Sequence, residues 1–103
     1  MASQTKEFIL KNTFREKVYK VVSQIPKGEL LSYKEVAIKA GSPLAFRAVG
    51  NIMHKNPDPK KVPCHRVVAS GYKLGGYAWG TDAKIKKLAA EGWKLEKKIL
   101  KKI

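Results

Sequence analysis

The sequence predicts a mainly α-helical small domain with a winged-helix-like helix-turn-helix, an active-site loop and at most short β-strands. Capping-box tetrads open two segments with helical apolar spacing. Glycine and proline stops separate three such segments in the first half of the chain, and turn residues crowd the stretch after them. With 103 residues, 44% of them hydrophobic, the chain reads as one domain over 1–103 with a single core.

Thr13-Phe14-Arg15-Glu16 has capping-box form, and Phe14, Val18, Val21, Val22 and Ile25 then fall on one helical face. Pro26 and Gly28 end that helix. A second box, Ser32-Tyr33-Lys34-Glu35, opens a helix with Val36, Ala37 and Ala40 inward, and Gly41 stops it. Ser42-Pro43 offers an N-cap with proline at the first helical position, predicting a third helix from about Pro43 to His54 or Lys55. Residues Ser32 to Lys55 thus fit a helix-turn-helix, whose second helix is the one presented to DNA.

From Asn56 to Gly80, prolines and glycines punctuate short apolar pieces such as Arg66-Val67-Val68, predicting loop with one or two short strands. Thr81 is placed as the cap of a further helix with Ile85, Leu88 and Ala89 inward and Gly92 at its end. The segment 94–103 alternates lysine pairs with Leu95, Ile99, Leu100 and Ile103, and reads as a basic amphipathic helix. Residues 1–11 read as a flexible N-terminus. They lack the apolar segment of a secretory signal, and the chain has no run of eighteen apolar residues, so it is expected to be intracellular, cytoplasmic or nuclear, away from membranes.

Twenty-two Lys and Arg face eight Asp and Glu, a formal charge of +14 that suits a polyanion such as nucleic acid. Lysines that merely solvate the surface are the alternative, although such surfaces are usually rich in glutamate as well. The single cysteine forbids an internal disulfide, leaving Cys64 as a buried small hydrophobe, a reactive thiol or a metal ligand. A zinc site drawing on Cys64, His65 and His54 lacks a second cysteine, and no metal is expected.

The chemistry concentrates in Pro63-Cys64-His65-Arg66-Val67-Val68. A thiolate is the nucleophile, so a reactive cysteine needs a nearby base, and His65 serves if a carboxylate such as Glu91 orients its ring. Neighbours in an extended segment point apart, which favours a water bridge between Cys64 and His65 over direct contact. A structural cysteine beside a core histidine is the alternative these residues leave open.

The chain resembles the O6-alkylguanine-DNA alkyltransferases in their C-terminal catalytic domain. The resemblance runs through Phe14-Arg15-Glu16-Lys17-Val18-Tyr19, Ile25-Pro26-Lys27-Gly28, Ser32-Tyr33, Arg47-Ala48-Val49-Gly50, Asn56-Pro57, Pro63-Cys64-His65-Arg66-Val67, Gly76-Tyr77 and Glu91-Gly92. It implies direct-reversal DNA repair: stoichiometric, single-turnover transfer of an alkyl group from O6-alkylguanine in double-stranded DNA to Cys64, with no cofactor. It further implies a protein acting as a monomer and docking through the minor groove. By the same resemblance His65 and Glu91 form a proton relay, and Asn56 is a hinge tying the recognition region to the active-site loop. Arg47 is implied as the finger that fills the place of a flipped base, an action its planar cation suits. Ser32, Tyr33, Ala45, Ala48 and Gly50 would face DNA, and Tyr33, Met53, Val67, Tyr77 and Ala78 would form the guanine pocket. Ala78 stands where the family usually has serine, and Trp79 beside it is bulky. Two competitors remain: the alkyltransferase-like proteins, which bind the lesion without an acceptor cysteine, and a dimeric helix-turn-helix regulator reading the major groove.

Overall fold

The structure, a computed structural model, describes residues 13–103. The expectation of a flexible segment over 1–11 lies outside the described residues. The elements run α1 (Phe14–Ser23), β1 (Leu31–Ser32), α2 (Tyr33–Lys39), α3 (Phe46–His54), a 3₁₀ turn (Cys64–Arg66), β2 (Val67–Val68), α4 (Thr81–Ala90), β3 (Trp93–Glu96) and β4 (Ile99–Lys102). The fold is the expected one, small, mainly helical and with short strands. No helix among the described residues is long and apolar enough to cross a membrane.

The first two helix starts follow their caps. Thr13 Oγ1 accepts from Glu16 N, and at α2 the box is reciprocal: Ser32 Oγ accepts from Glu35 N while Ser32 N donates to Glu35 Oε1, each at 3.0 Å. Such a cap contributes about 1 kcal/mol. The expected apolar faces close on one another, so that Val18, Val22 and Ile25 meet Val36, Ala37, Ala40, Val49 and Met53 in the main core, which also takes in Cys64, Val67 and Tyr77. Two-residue strands β1 and β2 pair in parallel, Leu31 with Val67 and Ser32 with Val68, fixing the cysteine loop against the start of the helix-turn-helix.

Three expectations are corrected. The third helix starts at Phe46, because Ala45 N bonds Ser42 O and the Pro43-Leu44 pair is used in a turn. Proline is as well suited to that turn position as to a helix start. The fourth helix is capped by Gly80 and not by Thr81, and it buries Lys84 and Leu88 while Ala89 is exposed. The segment 94–103 is no helix: β3 and β4 form an antiparallel hairpin with Trp93 opposite Lys102 and Glu96 opposite Ile99. Its turn, Lys97-Lys98, holds both residues at positive φ, 51° and 68°. Leu100 packs with Val68 and Leu88 in a second small core, which gives the hairpin a buried edge that a solvated helix would not have.

Candidate active site and nucleic-acid interface

Pro63 shapes the cysteine loop. Its backbone, at φ −73° and ψ 72°, closes a tight turn in which Cys64 N donates to Val62 O at 2.7 Å. Arg66 N then donates to Pro63 O, and the chain enters β2. Asn56 ties this loop to the end of α3: its Nδ2 donates to Val62 O at 2.7 Å and its Oδ1 accepts from Asp58 N, with the side chain buried. The result leaves Cys64 only 3% exposed, at the wall of a cleft of about 290 Å³ lined also by Tyr33, Gly50, Asn51, Met53, His54, Gly76 and Tyr77.

Behind the cysteine, His65 Nε2 lies 3.0 Å from Glu91 Oε2. An ionised carboxylate only accepts, so Nε2 carries the proton and Nδ1 presents its lone pair. Arg66 grips the same carboxylate in two places, Nε to Oε1 at 3.0 Å and Nη2 to Oε2 at 2.7 Å, and its Nη1 donates to Ile25 O. Burial pushes the Glu91 carboxyl up, but the hydrogen bonds from Arg66 and His65 outweigh it and hold the group down at about 2. Burial lowers His65 against the opposing pull of Glu91, so the ring is neutral at neutral pH.

A further charged group, Lys84, lies on α4. Its side chain is fully buried, and Nζ donates to Val67 O at 2.8 Å, Leu74 O at 2.5 Å and Gly76 O at 3.1 Å. Burial brings it down to about 8, with the neighbouring Cys64 pulling the other way. One ammonium therefore staples β2 to the loop that lines the cleft. Over that loop, Gly75 sits at φ +72°, and a Cβ there would lie 2.8 Å from Tyr33 Oη, so only glycine leaves room for the tyrosine. Tyr33 Oη in turn donates to Gly76 O at 3.4 Å, and burial raises the pKa of both Tyr33 and Tyr77, the latter to about 12.

The sequence-derived residues are thus brought together unevenly. Tyr33, Gly50, Met53, Cys64 and Tyr77 line the cleft, with His65, Glu91 and Asn56 behind it. Arg47 is exposed on α3 one turn before Gly50 and Asn51, on the cleft side, with no hydrogen bond or ion pair among the described residues. Ala45 and Ala48 sit half-buried around it. Ser32 uses its hydroxyl in the α2 cap. Val67 is in the core with its carbonyl taken by Lys84, and Ala78 is exposed outside the cleft lining. Trp79 lies against Tyr77, ring centroids 5.3 Å apart. Sequence reasoning missed Arg66, Lys84 and Gly75 as parts of the site. The pattern around Arg66 and Gly75 was visible, but a lysine on a helix gives no sign that it is buried.

These features define a class: a helix-turn-helix domain whose one thiol forms the wall of a cleft beneath the second helix, with a buried carboxylate-histidine pair behind it. The chain belongs to the 6-O-methylguanine DNA methyltransferase family, whose DNA-binding domain its residues 13–93 match. It is 48% identical over 71 residues to the methylated-DNA--protein-cysteine methyltransferase of Methanosarcina barkeri, covering 69% of this chain and 45% of that protein. To the human methyltransferase of the same name it is 43% identical over 83 residues, 81% of this chain and 40% of the other. The chain therefore spans less than half the length of these curated relatives. Among solved structures, Mycobacterium tuberculosis OGT in complex with DNA superposes with a TM-score of 0.73 at 44% identity, over 76% of this chain and 48% of that one. Schizosaccharomyces pombe Atl1, bound to damaged DNA containing O6-carboxymethylguanine, gives 0.73 at 31% identity, over 81% and 79%.

Proposed function

We propose that this protein repairs DNA by transferring the alkyl group of O6-alkylguanine in duplex DNA to Cys64, once per molecule. The observation that carries this reading is the placement of Cys64 at the cleft wall with the neutral His65, oriented by Glu91, next to it in the chain. The thiol proton passes through a bridging water to His65 Nδ1, and Glu91 stabilises the imidazolium that results. The thiolate attacks the alkyl carbon. An S–C bond forms, the C–O6 bond breaks, and the electron pair leaves with guanine, which takes up one proton from the Tyr33 hydroxyl. His65 then releases its proton to solvent and Tyr33 regains one, so the net change is one proton from Cys64 to the base and no redox partner or cofactor enters. A thioether has no leaving route, hence the single turnover.

O6 is out of reach inside a duplex, so the base must flip, and Arg47 is the group proposed to take its place from the minor groove. Asn56 ties the helix-turn-helix to the cysteine loop, Ser32, Ala45, Ala48 and Gly50 face the strand, and Met53 and Tyr77 bound the guanine. Lesion binding without transfer is the second reading, supported by the equal superposition on Atl1. Intact-mass measurement after incubation with an O6-methylguanine duplex separates the two. We expect one added methylene mass confined to the Cys64 peptide and none in Cys64→Ser. Tight lesion binding with no mass gain would leave only the second reading.

A further inference from the structure

The β3–β4 hairpin begins at Trp93, the last residue of the family match, and carries five lysines against one glutamate over residues 94–103. Three of the lysines are committed. Lys94 and Lys101 pair with Glu96 at 3.3 and 3.4 Å, while Lys102 lies 4.9 Å over the Trp93 ring and donates to Gly28 O. The two at the tip, Lys97 and Lys98, are exposed and have no partner among the described residues. They also occupy a two-residue turn with both φ positive, a geometry that suits Asn-Gly and disfavours long side chains. Lysine here breaks the local rule, and such departures concentrate where function sets the residue.

The tip sits next to the cleft-lining loop. Leu100 N donates to Tyr72 O at 2.8 Å, Ile99 bridges Lys73, and Lys73 and Lys98 flank one groove of about 510 Å³ between hairpin and α4. The loop they brace continues into Gly75, Gly76 and Tyr77, across the cleft from α3. We propose that Lys97 and Lys98, with Lys73, form a second duplex-binding surface that holds the DNA phosphate backbone opposite the helix-turn-helix. This rests on the reading that the chain acts on duplex DNA. Ammonium groups on a hairpin tip are suited to phosphates as point charges and carry no sequence information, which fits a protein that must scan for lesions.

The test replaces Lys97→Asn and Lys98→Gly together, removing two charges while giving the turn its favoured sequence, so the variant should melt no lower than the parent. Affinity for an undamaged 20-base-pair duplex is titrated against salt for the parent, this variant, an Arg-Arg variant at the same two positions, and Lys17→Gln with Lys20→Gln on α1. We expect the hairpin variant's slope of log affinity on log salt to shrink by about 1.8, two phosphates' worth, with the Arg-Arg variant near the parent. An unchanged slope, or an equal reduction in the α1 variant, overturns the proposal. Failure of the functional reading would look different: the parent itself would bind duplex without salt dependence or leave Cys64 unalkylated.

Discussion

A largely buried carboxylate, Glu91, and a fully buried ammonium, Lys84, brace the cysteine loop, and they are stabilised in different ways. Glu91 is held by a bidentate guanidinium and an imidazole, charge against charge. Lys84 faces no carboxylate in hydrogen-bond range among the described residues and is solvated by three backbone carbonyls. The carboxylate cluster joins the turn after α1, the cysteine turn and the end of α4, since Arg66 also reaches Ile25 O. The lysine joins β2 to the cleft loop. The first cluster fixes where the histidine points, whereas the second fixes the shape of the pocket. Losing either therefore damages a different step.

The largest effect is expected at Glu91. Glu91→Ala strands a guanidinium and an imidazole in a buried setting, and breaking such a pair costs about 3–5 kcal/mol. A urea-denaturation loss under about 1 kcal/mol would make the cluster ornamental. Lys84→Met should come next, at about 2 kcal/mol, because three carbonyls lose their donor while a desolvated charge is relieved. Its signature is in the pocket: single-turnover transfer should slow more through weakened guanine binding than through a changed thiol pH profile. A shifted pH profile with unchanged binding would place Lys84 in the proton chemistry instead.

The pH dependence of stability separates the two charges further. The folded Glu91 carboxyl is depressed from 4.5 to about 2, so its contribution is complete above about pH 4.5 and is lost as pH falls toward about 2. Lys84 is depressed from 10.5 to about 8 by burial, so between those values the unfolded chain holds the extra proton and stability rises with pH. Above about pH 10 Tyr77, raised to about 12 by burial, opposes that rise. Thermal melting of Glu91→Gln should lack the acid drop, and Lys84→Met should lack the gain between pH 8 and 10. If both variants follow the parent across the range, neither charge carries the linkage assigned to it. The smallest stability effect is expected at Arg47, exposed and outside both clusters: Arg47→Ala should stay within about 0.5 kcal/mol of the parent. It should nevertheless slow transfer on duplex more than on single strands, and Arg47→Lys should recover only part. Equal losses on both substrates would remove Arg47 from base flipping.

The first half of the chain was legible because its signals are local. Ser32 and Glu35 cap one another within a single turn, and the apolar face from Val18 to Ile25 is complete in the sequence. The link between His65 and Glu91, 26 residues apart, was readable from motif resemblance and not from spacing. The hairpin was misread because Leu95, Ile99 and Leu100 also suit helical spacing, and its turn has lysines where glycine or asparagine would have announced it. Lys84 escaped because nothing in Thr81 to Ala90 distinguishes a lysine aimed at carbonyls from one in water. Its partners Val67, Leu74 and Gly76 meet only when the tertiary fold closes.

Gly28, in the turn after α1, accepts from both Trp93 Nε1 and Lys102 Nζ, contacts that span 65 and 74 residues. Closing loops of that length is entropically expensive and is compensated only after the intervening helices have condensed. The hairpin should therefore be the last unit to assemble and the first to open, with amide protons at Trp93 to Lys102 exchanging with solvent through a sub-global event far cheaper than those of α1 and α2.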